Sequence, residues 1–161
     1  PDAPLTSIEG TLASPAKGQM IDPDIIWSDL GPHMLAAVQA VAPDAEMDKD
    51  SIQVERGTNR FDCSFTVSQP NGDIACTLKV YKTEGEPTHV RRVILNGHQY
   101  DLSGGRGDDG IYYAQFDGPA GTHREEDPLR QTIRRMAELD PPMHGEIIRK
   151  NQQWLIEVIN R

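Results

Sequence analysis

The chain has only two cysteines, Cys63 and Cys76, and neither falls in a C-x-x-C pair or a zinc spacing. Their scarcity excludes a disulfide framework and a cysteine zinc site and fits a reducing compartment. A cytoplasmic location is therefore expected, with export without a cleavable signal peptide as the alternative. Aromatic residues make up only 6% and the mean hydropathy is -0.56, at the polar side of globular compositions. No run approaches about 18 apolar residues, and no charged segment leads into an apolar one near the start, so neither a membrane-spanning helix nor an intact signal peptide is expected.

Basic residues are also in deficit. Lys and Arg number 16 against 25 Asp and Glu, for a net charge of -9. Nucleic acids and anionic membranes are bound through clustered Lys and Arg that release counterions, so neither is an expected partner. Catalytic signatures are missing too: there is no G-x-S-x-G, H-E-x-x-H, H-x-E with C-x-x-C, or Walker sequence. On this reading no catalytic residue, cofactor or metal ligand is assigned.

What is present fits a single domain of 161 residues, large enough for a core without disulfides or metals. Residues 1–20 are rich in Pro, Ala, Ser, Thr and Gly and predict an extended or flexible N-terminal arm. From Ile21 the pattern turns helical. Asp22 can cap, Pro23 suits the first helical position, and Ile26, Leu30, Met34, Val38 and Val41 recur at helical spacing. Gly31-Pro32 predicts a break or kink, and His33 just beyond it reads as a surface or packing residue.

Between Ser51 and Asp117 the apolar period falls to two. A turn at Asn71-Gly72 predicts Val67 opposite Cys76, Phe65 opposite Leu78 and Cys63 opposite Val80, with the apolar side chains from Phe61 to Val80 on one buried face. Both cysteines then belong to the core, too far apart to bond. A second turn at Asn96-Gly97 predicts Leu95 opposite His98, Val93 opposite Tyr100 and an exposed ion pair between Arg92 and Asp101. Strands at Ser51–Arg56 and Ile111–Asp117 bring the total to six. The sequence Thr122 to Pro128 reads as the entrance to a helix ended by Pro141-Pro142, and a last helix starts near Met143. The expected fold is α+β: an antiparallel β-meander of five to six strands with N- and C-terminal helices packed on one face, residues 21–161 forming one domain.

The stretch Leu102 to Tyr113, "LSGGRGDDGIYY", predicts a hairpin loop over Ser103–Gly110, longer than the usual roughly two to five residues. A phosphate loop needs a strand before it and a helix after it, and a strand follows here. Arg106, Asp108 and Asp109 are therefore read as a mobile turn or a partner contact. Acidic residues crowd one region: Asp22, Asp24, Asp29, Asp44, Glu46, Asp48 and Asp50 face only Lys49 between Ile21 and Asp50. That strip is the expected docking surface for a protein with a basic surface. The functional expectation is an acidic protein-binding module without catalytic activity, of the kind secretion chaperones and immunity proteins represent. The alternatives are a secreted effector, a small-ligand-binding domain lined by Tyr100, Tyr112 and Tyr113, and an enzyme whose site is assembled from distant residues. A homodimer through an edge strand is a further expectation.

Overall fold

The computed structural model describes residues 3–85, 87, 89–126 and 145–161. In chain order the elements are β1 (Ser7–Pro15), α1 (Pro23–Val41), β2 (Glu46–Gly57), β3 (Arg60–Gln69), β4 (Gly72–Thr83), β5 (Val90–Leu95), β6 (His98–Arg106), β7 (Tyr112–Gly118), β8 (Gly121–Glu126) and α2 (Gly145–Ile159). The eight strands form one sheet in the order β2-β3-β4-β1-β5-β6-β7-β8, in which β1 runs parallel to β4 and every other pairing is antiparallel. The α+β class is as expected. The simple meander is not, because β1 is inserted between β4 and β5 and the strand count is higher.

Within the expected N-terminal arm, residues 7–15 are a central strand. Ile8, Gly10 and Leu12 alternate towards the helices, a period masked by the Gly, Ser and Pro around them. Two asparagines fix the segment from outside. Asn96 Oδ1 accepts from the Thr6 and Ser7 backbone amides at 2.8 and 3.0 Å, and its Nδ2 donates to the Pro4 carbonyl. Asn59 Oδ1 accepts from the Ile21 amide at 2.7 Å, and its Nδ2 donates to the Gln19 carbonyl. Gly10 leaves room for two core side chains, since a Cβ there would lie 2.9 Å from Leu78 Cδ2 of β4 and 3.0 Å from Met34 Sδ of α1.

The expected break at Gly31-Pro32 is absent. α1 runs unbroken for 19 residues with Pro32 inside it, capped by Asp22 Oδ1, which accepts from the Asp24 amide. The residue before a proline is normally pushed out of helical geometry by its own Cβ, and Gly31 has none. Gly31 also lies against the Trp27 indole, where a Cβ would come within 2.7 Å of the ring. Asn151 on α2 donates to the Pro32 carbonyl at 3.1 Å, joining the two helices at this turn.

The hairpins follow local turn chemistry, with one slip. At Asn96-Gly97 the pairs Leu95–His98, Val93–Tyr100 and Arg92–Asp101 are as expected. At the first turn the central residues are Pro70 and Asn71, closed by Gln69 and Gly72, so Val67 faces Ile74, Phe65 faces Cys76 and Cys63 faces Leu78. Proline's fixed φ suits the first central position of an ordinary turn, and Gly72 then takes the positive φ of 121°. The shift is two residues, which leaves every side chain on its expected face.

Three further expectations are corrected. β2 begins at Glu46, five residues before Ser51, and its register with β3 shifts between Asp48 and Gln53. The long loop over Ser103–Gly110 shrinks to the residues after Arg106, because β6 continues through both glycines 104 and 105. His123 to Glu126 lie in strand β8, where side chains of His123 and Glu125 share a face and pair at 2.7 Å, so no helix begins there. The helix expected after Pro128 lies outside the described residues.

α1 packs on β1, β3 and β4, and α2 packs on α1 and β2. Between them and the sheet is one core containing Ile8, Trp27, Leu35, Phe61, Phe65, Val67, Ile74, Val80, Trp154 and Val158. Trp27 stacks on Phe61 at 4.9 Å, and Trp154 meets Phe65 edge to face at 6.3 Å. Cys63 and Cys76 are buried in this core as free thiols. Burial pushes the Cys76 thiol up to about 12 and raises that of Cys63 as well, with the Asp62 carboxylate adding to the latter. Thiolate is the reactive form, so both are expected to stay unmodified by a thiol reagent at mildly alkaline pH in the native state and to react fully in denaturant. Titration with a chromogenic disulfide checks this, and rapid native labelling of either cysteine would contradict the burial.

Candidate functional site

β1 and β4 run in parallel with Ser14 directly beside Lys82, so both side chains rise from the helix-bearing face of the sheet. Lys82 Nζ donates to Ser14 Oγ at 2.9 Å and to Asp29 Oδ2 on α1, also at 2.9 Å. The lysine side chain is only 12% exposed and the aspartate 60%, so a covered ammonium bridges sheet and helix towards a solvent-facing carboxylate. Lys82 donates in both contacts and so serves as a fixed donor rather than as a base. His33 follows Asp29 by one helical turn on the same face of α1.

Of these groups, Ser14 and His33 border a cleft of about 440 Å³ between α1, β1 and β5. Leu12, Leu30 and Met34 give it apolar walls, and Ser14 and His33 enter it from β1 and α1. Across from them, His89 and Arg91 line the β5 side. An apolar cleft with a few convergent polar groups is the usual form of a small-molecule site. The polar set here comprises a hydroxyl oriented by an ammonium, two imidazoles and a guanidinium.

The sequence singled out other residues, and the structure spreads them apart. Asp22 caps α1; Asp24 pairs with Arg56 at 2.8 Å, Asp29 with Lys82, and Glu46 with Lys150 at 2.9 Å. Asp48 accepts from the Asp50 amide, and Asp44 is exposed between α1 and β2. Three of the seven carboxylates in the strip are thus held by the chain's own cations. Arg106 ends β6, and Asp109 Oδ1 accepts from the Ile111 amide at 2.9 Å, an internal turn contact. Tyr100 and Tyr112 stand on the helix-bearing side of the sheet. Tyr113 stands on the other, with the Arg124 guanidinium 4.6 Å from its ring centroid; Tyr112 and Tyr113 nonetheless border one shallow cleft at the sheet edge with Asp109 and Arg124, and Tyr100 is not part of it. Trp154 belongs to the core.

The Arg92–Asp101 pair is present at 2.6 Å, and the hydrogen bond from Arg92 holds the Asp101 carboxyl below the usual carboxylate range. It leaves Arg92 matched, while its neighbour Arg91 has no carboxylate partner among the described residues.

Sequence reading missed Ser14, Lys82, His89 and Arg91 and took His33 for a surface or packing residue. One signal was available: Asp29 and His33 are four apart, which places both on one helix face. The expected break at Gly31-Pro32 put them in separate elements and concealed it.

Among the described residues, no three His, Cys, Asp or Glu side chains are grouped to hold a metal ion. Gly105, Gly107 and Gly110 have the spacing of a dinucleotide loop, but they join β6 to β7, so no helix N-terminus receives a phosphate there. This hairpin therefore does not have the strand-to-helix form of a dinucleotide loop. Nor is any described helix long and apolar enough to cross a membrane.

No family model and no curated protein matches the chain. Two solved structures are similar in fold. One is a dehydrogenase (MviM) from Clostridium difficile, with 14% identity and a TM-score of 0.55 over 98% of this chain and 55% of that one. The other is the UDP-N-acetylglucosamine 3-dehydrogenase GnnA from Acidithiobacillus ferrooxidans, with 14% identity and a TM-score of 0.57 over 97% of this chain and 53% of that one. The chain thus spans about half the length of each, and at this identity the likeness is one of fold.

Proposed function

We propose that this chain supplies the substrate-holding and proton-accepting part of a dehydrogenase that acts on an alcohol. The observation that carries the reading is the convergence of His33 and the Lys82-oriented Ser14 on one apolar cleft. Oxidation of an alcohol removes a hydride from carbon and a proton from oxygen. His33 is placed to take the proton, and Ser14, its oxygen already accepting from Lys82, has its own hydrogen free to donate to the substrate oxygen. The apolar walls limit water around the reacting carbon. The hydride leaves the carbon for an organic hydride-accepting cofactor, which this reading places outside the described residues of the chain, so that the alcohol becomes a carbonyl as the acceptor is reduced. That both fold neighbours are dehydrogenases favours this reading over other uses of the same cleft.

The test is turnover. The protein containing this chain, incubated with soluble electron acceptors and a panel of polyols, sugars, sugar phosphates and nucleotide sugars, is expected to show alcohol-dependent reduction of one acceptor. No reduction with any alcohol in the panel counts against the reading.

A further inference from the structure

The cleft contradicts the charge of the molecule that contains it. In a chain of net charge -9, no carboxylate is among the described residues that line this cleft, and Asp29, one helical turn before His33, is bound to Lys82. Five other cations are paired with carboxylates: Lys49 with Glu157, Arg56 with Asp24, Arg60 with Asp62, Arg92 with Asp101 and Lys150 with Glu46. Lys17, Lys79, Arg106 and Arg149 have no carboxylate partner among the described residues, but none of them lines the cleft. Arg91 has no carboxylate partner among the described residues, although carboxylates outnumber cations in the sequence. It stands at the β5 side of the cleft, beside His89 and across from His33.

Register explains the position. Arg91 faces Leu12 across the β1–β5 pair, so its side chain rises on the same sheet face as Leu12 and Val93, directly at the cleft wall. A guanidinium is permanently charged and carries a rigid fork of donors matched to the paired oxygens of a carboxylate or phosphate. A low-dielectric wall concentrates the field of such a charge inside the cleft, and the surrounding negative surface deters anions that do not reach it.

We infer that the substrate of this cleft carries an oxyanion, a phosphate or carboxylate, which Arg91 and His89 hold at the β5 side while its hydroxyl is presented to Ser14 and His33. The identity of the reacting hydroxyl rests on the proposed alcohol oxidation, whereas the oxyanion site rests on Arg91 and His89 alone. The distance between the β5 and α1 sides then orients the substrate, as a two-point attachment fixes which carbon faces His33.

The experiment uses the whole chain, with inorganic phosphate and acetate as probes in separate titrations at constant ionic strength set with chloride. Imidazole C–H signals of His33 and His89 are followed by NMR. Saturable shifts are expected, strongest at His89, with Arg91→Ala weakening the apparent affinity about tenfold or more and Lys79→Ala, on the opposite sheet face, leaving it unchanged. Arg91 is exposed, so the variant keeps its core, and dispersed amide signals verify this. Saturation by phosphate alone supports the site and narrows it to phosphate esters; saturation by both supports it and admits carboxylates. No saturable shift in the parent protein, or equal weakening by Arg91→Ala and Lys79→Ala, overturns the inference. Because no turnover is read, a protein that binds phosphate at Arg91 but oxidises no alcohol would sink the dehydrogenase reading and leave this site standing.

Discussion

Trp27→Ala is expected to lower the free energy of unfolding by about 3–5 kcal/mol, measured as a fall in the urea midpoint at unchanged slope. Trp27 is fully buried, stacks on Phe61 of β3 at 4.9 Å and donates from Nε1 to the Leu155 carbonyl of α2 at 3.3 Å. Truncation removes contacts to the sheet and to both helices together. It also leaves a cavity beneath Gly31, whose backbone is spaced for the indole and cannot close on an alanine. The Leu155 carbonyl loses its side-chain donor as well. Trp27→Phe keeps the stacking partner but not the hydrogen bond, and should cost clearly less than the alanine variant. If Trp27→Ala cost under about 1 kcal/mol, the central packing described here would be wrong.

The second large effect concerns chemistry. His33→Ala is expected to reduce kcat by about 10²–10⁴-fold with the alcohol identified in the turnover screen, while KM changes little. His33 is exposed on α1 and takes no part in the core, so its removal should leave the urea midpoint near that of the parent protein. Lys82→Met makes the contrast. Lys82 orients Ser14 through a 2.9 Å hydrogen bond and is a positioning residue, so its loss should raise KM as well as lower kcat. A His33→Ala variant with parental kcat would remove this histidine from the reaction.

Legibility in the sequence followed the range of the interactions involved. The Asn96-Gly97 hairpin could be read to the residue, because the turn and its flanking strands are local. The Pro70-Asn71 turn was misplaced by one residue and the strand register thereby by two, yet the buried face from Phe61 to Val80 came out right because a two-residue slip conserves sidedness. β1 was not legible. Its partners are distant in sequence, and the asparagine side chains that hold its entry and the exit beyond it, Asn96 and Asn59, looked like ordinary turn residues. The cleft shared that difficulty: Ser14, Lys82 and Arg91 come from three strands that meet only through β1. Asp29 and His33 were within reach of helical spacing, had the Gly31-Pro32 pair been recognised as one a helix can accommodate.

The position of β1 also governs how the sheet is assembled. Ile8 lies opposite Cys76 on one side and Leu95 on the other, so β1 has both its partners only once β4 and β5, which follow it in the chain, are in place. β2, β3 and β4 can zip together through tight turns, and so can β5 through β8, which gives two preformed blocks with a slot between them. Capture of β1 closes that slot and joins the blocks, at a cost in loop-closure entropy that the local hairpins do not meet. Until then the exposed borders of β4 and β5 present the same hydrogen-bonding template to any copy of β1. Strand exchange between nascent chains is thus the misassembly this topology invites, and dilution during refolding is the remedy it implies.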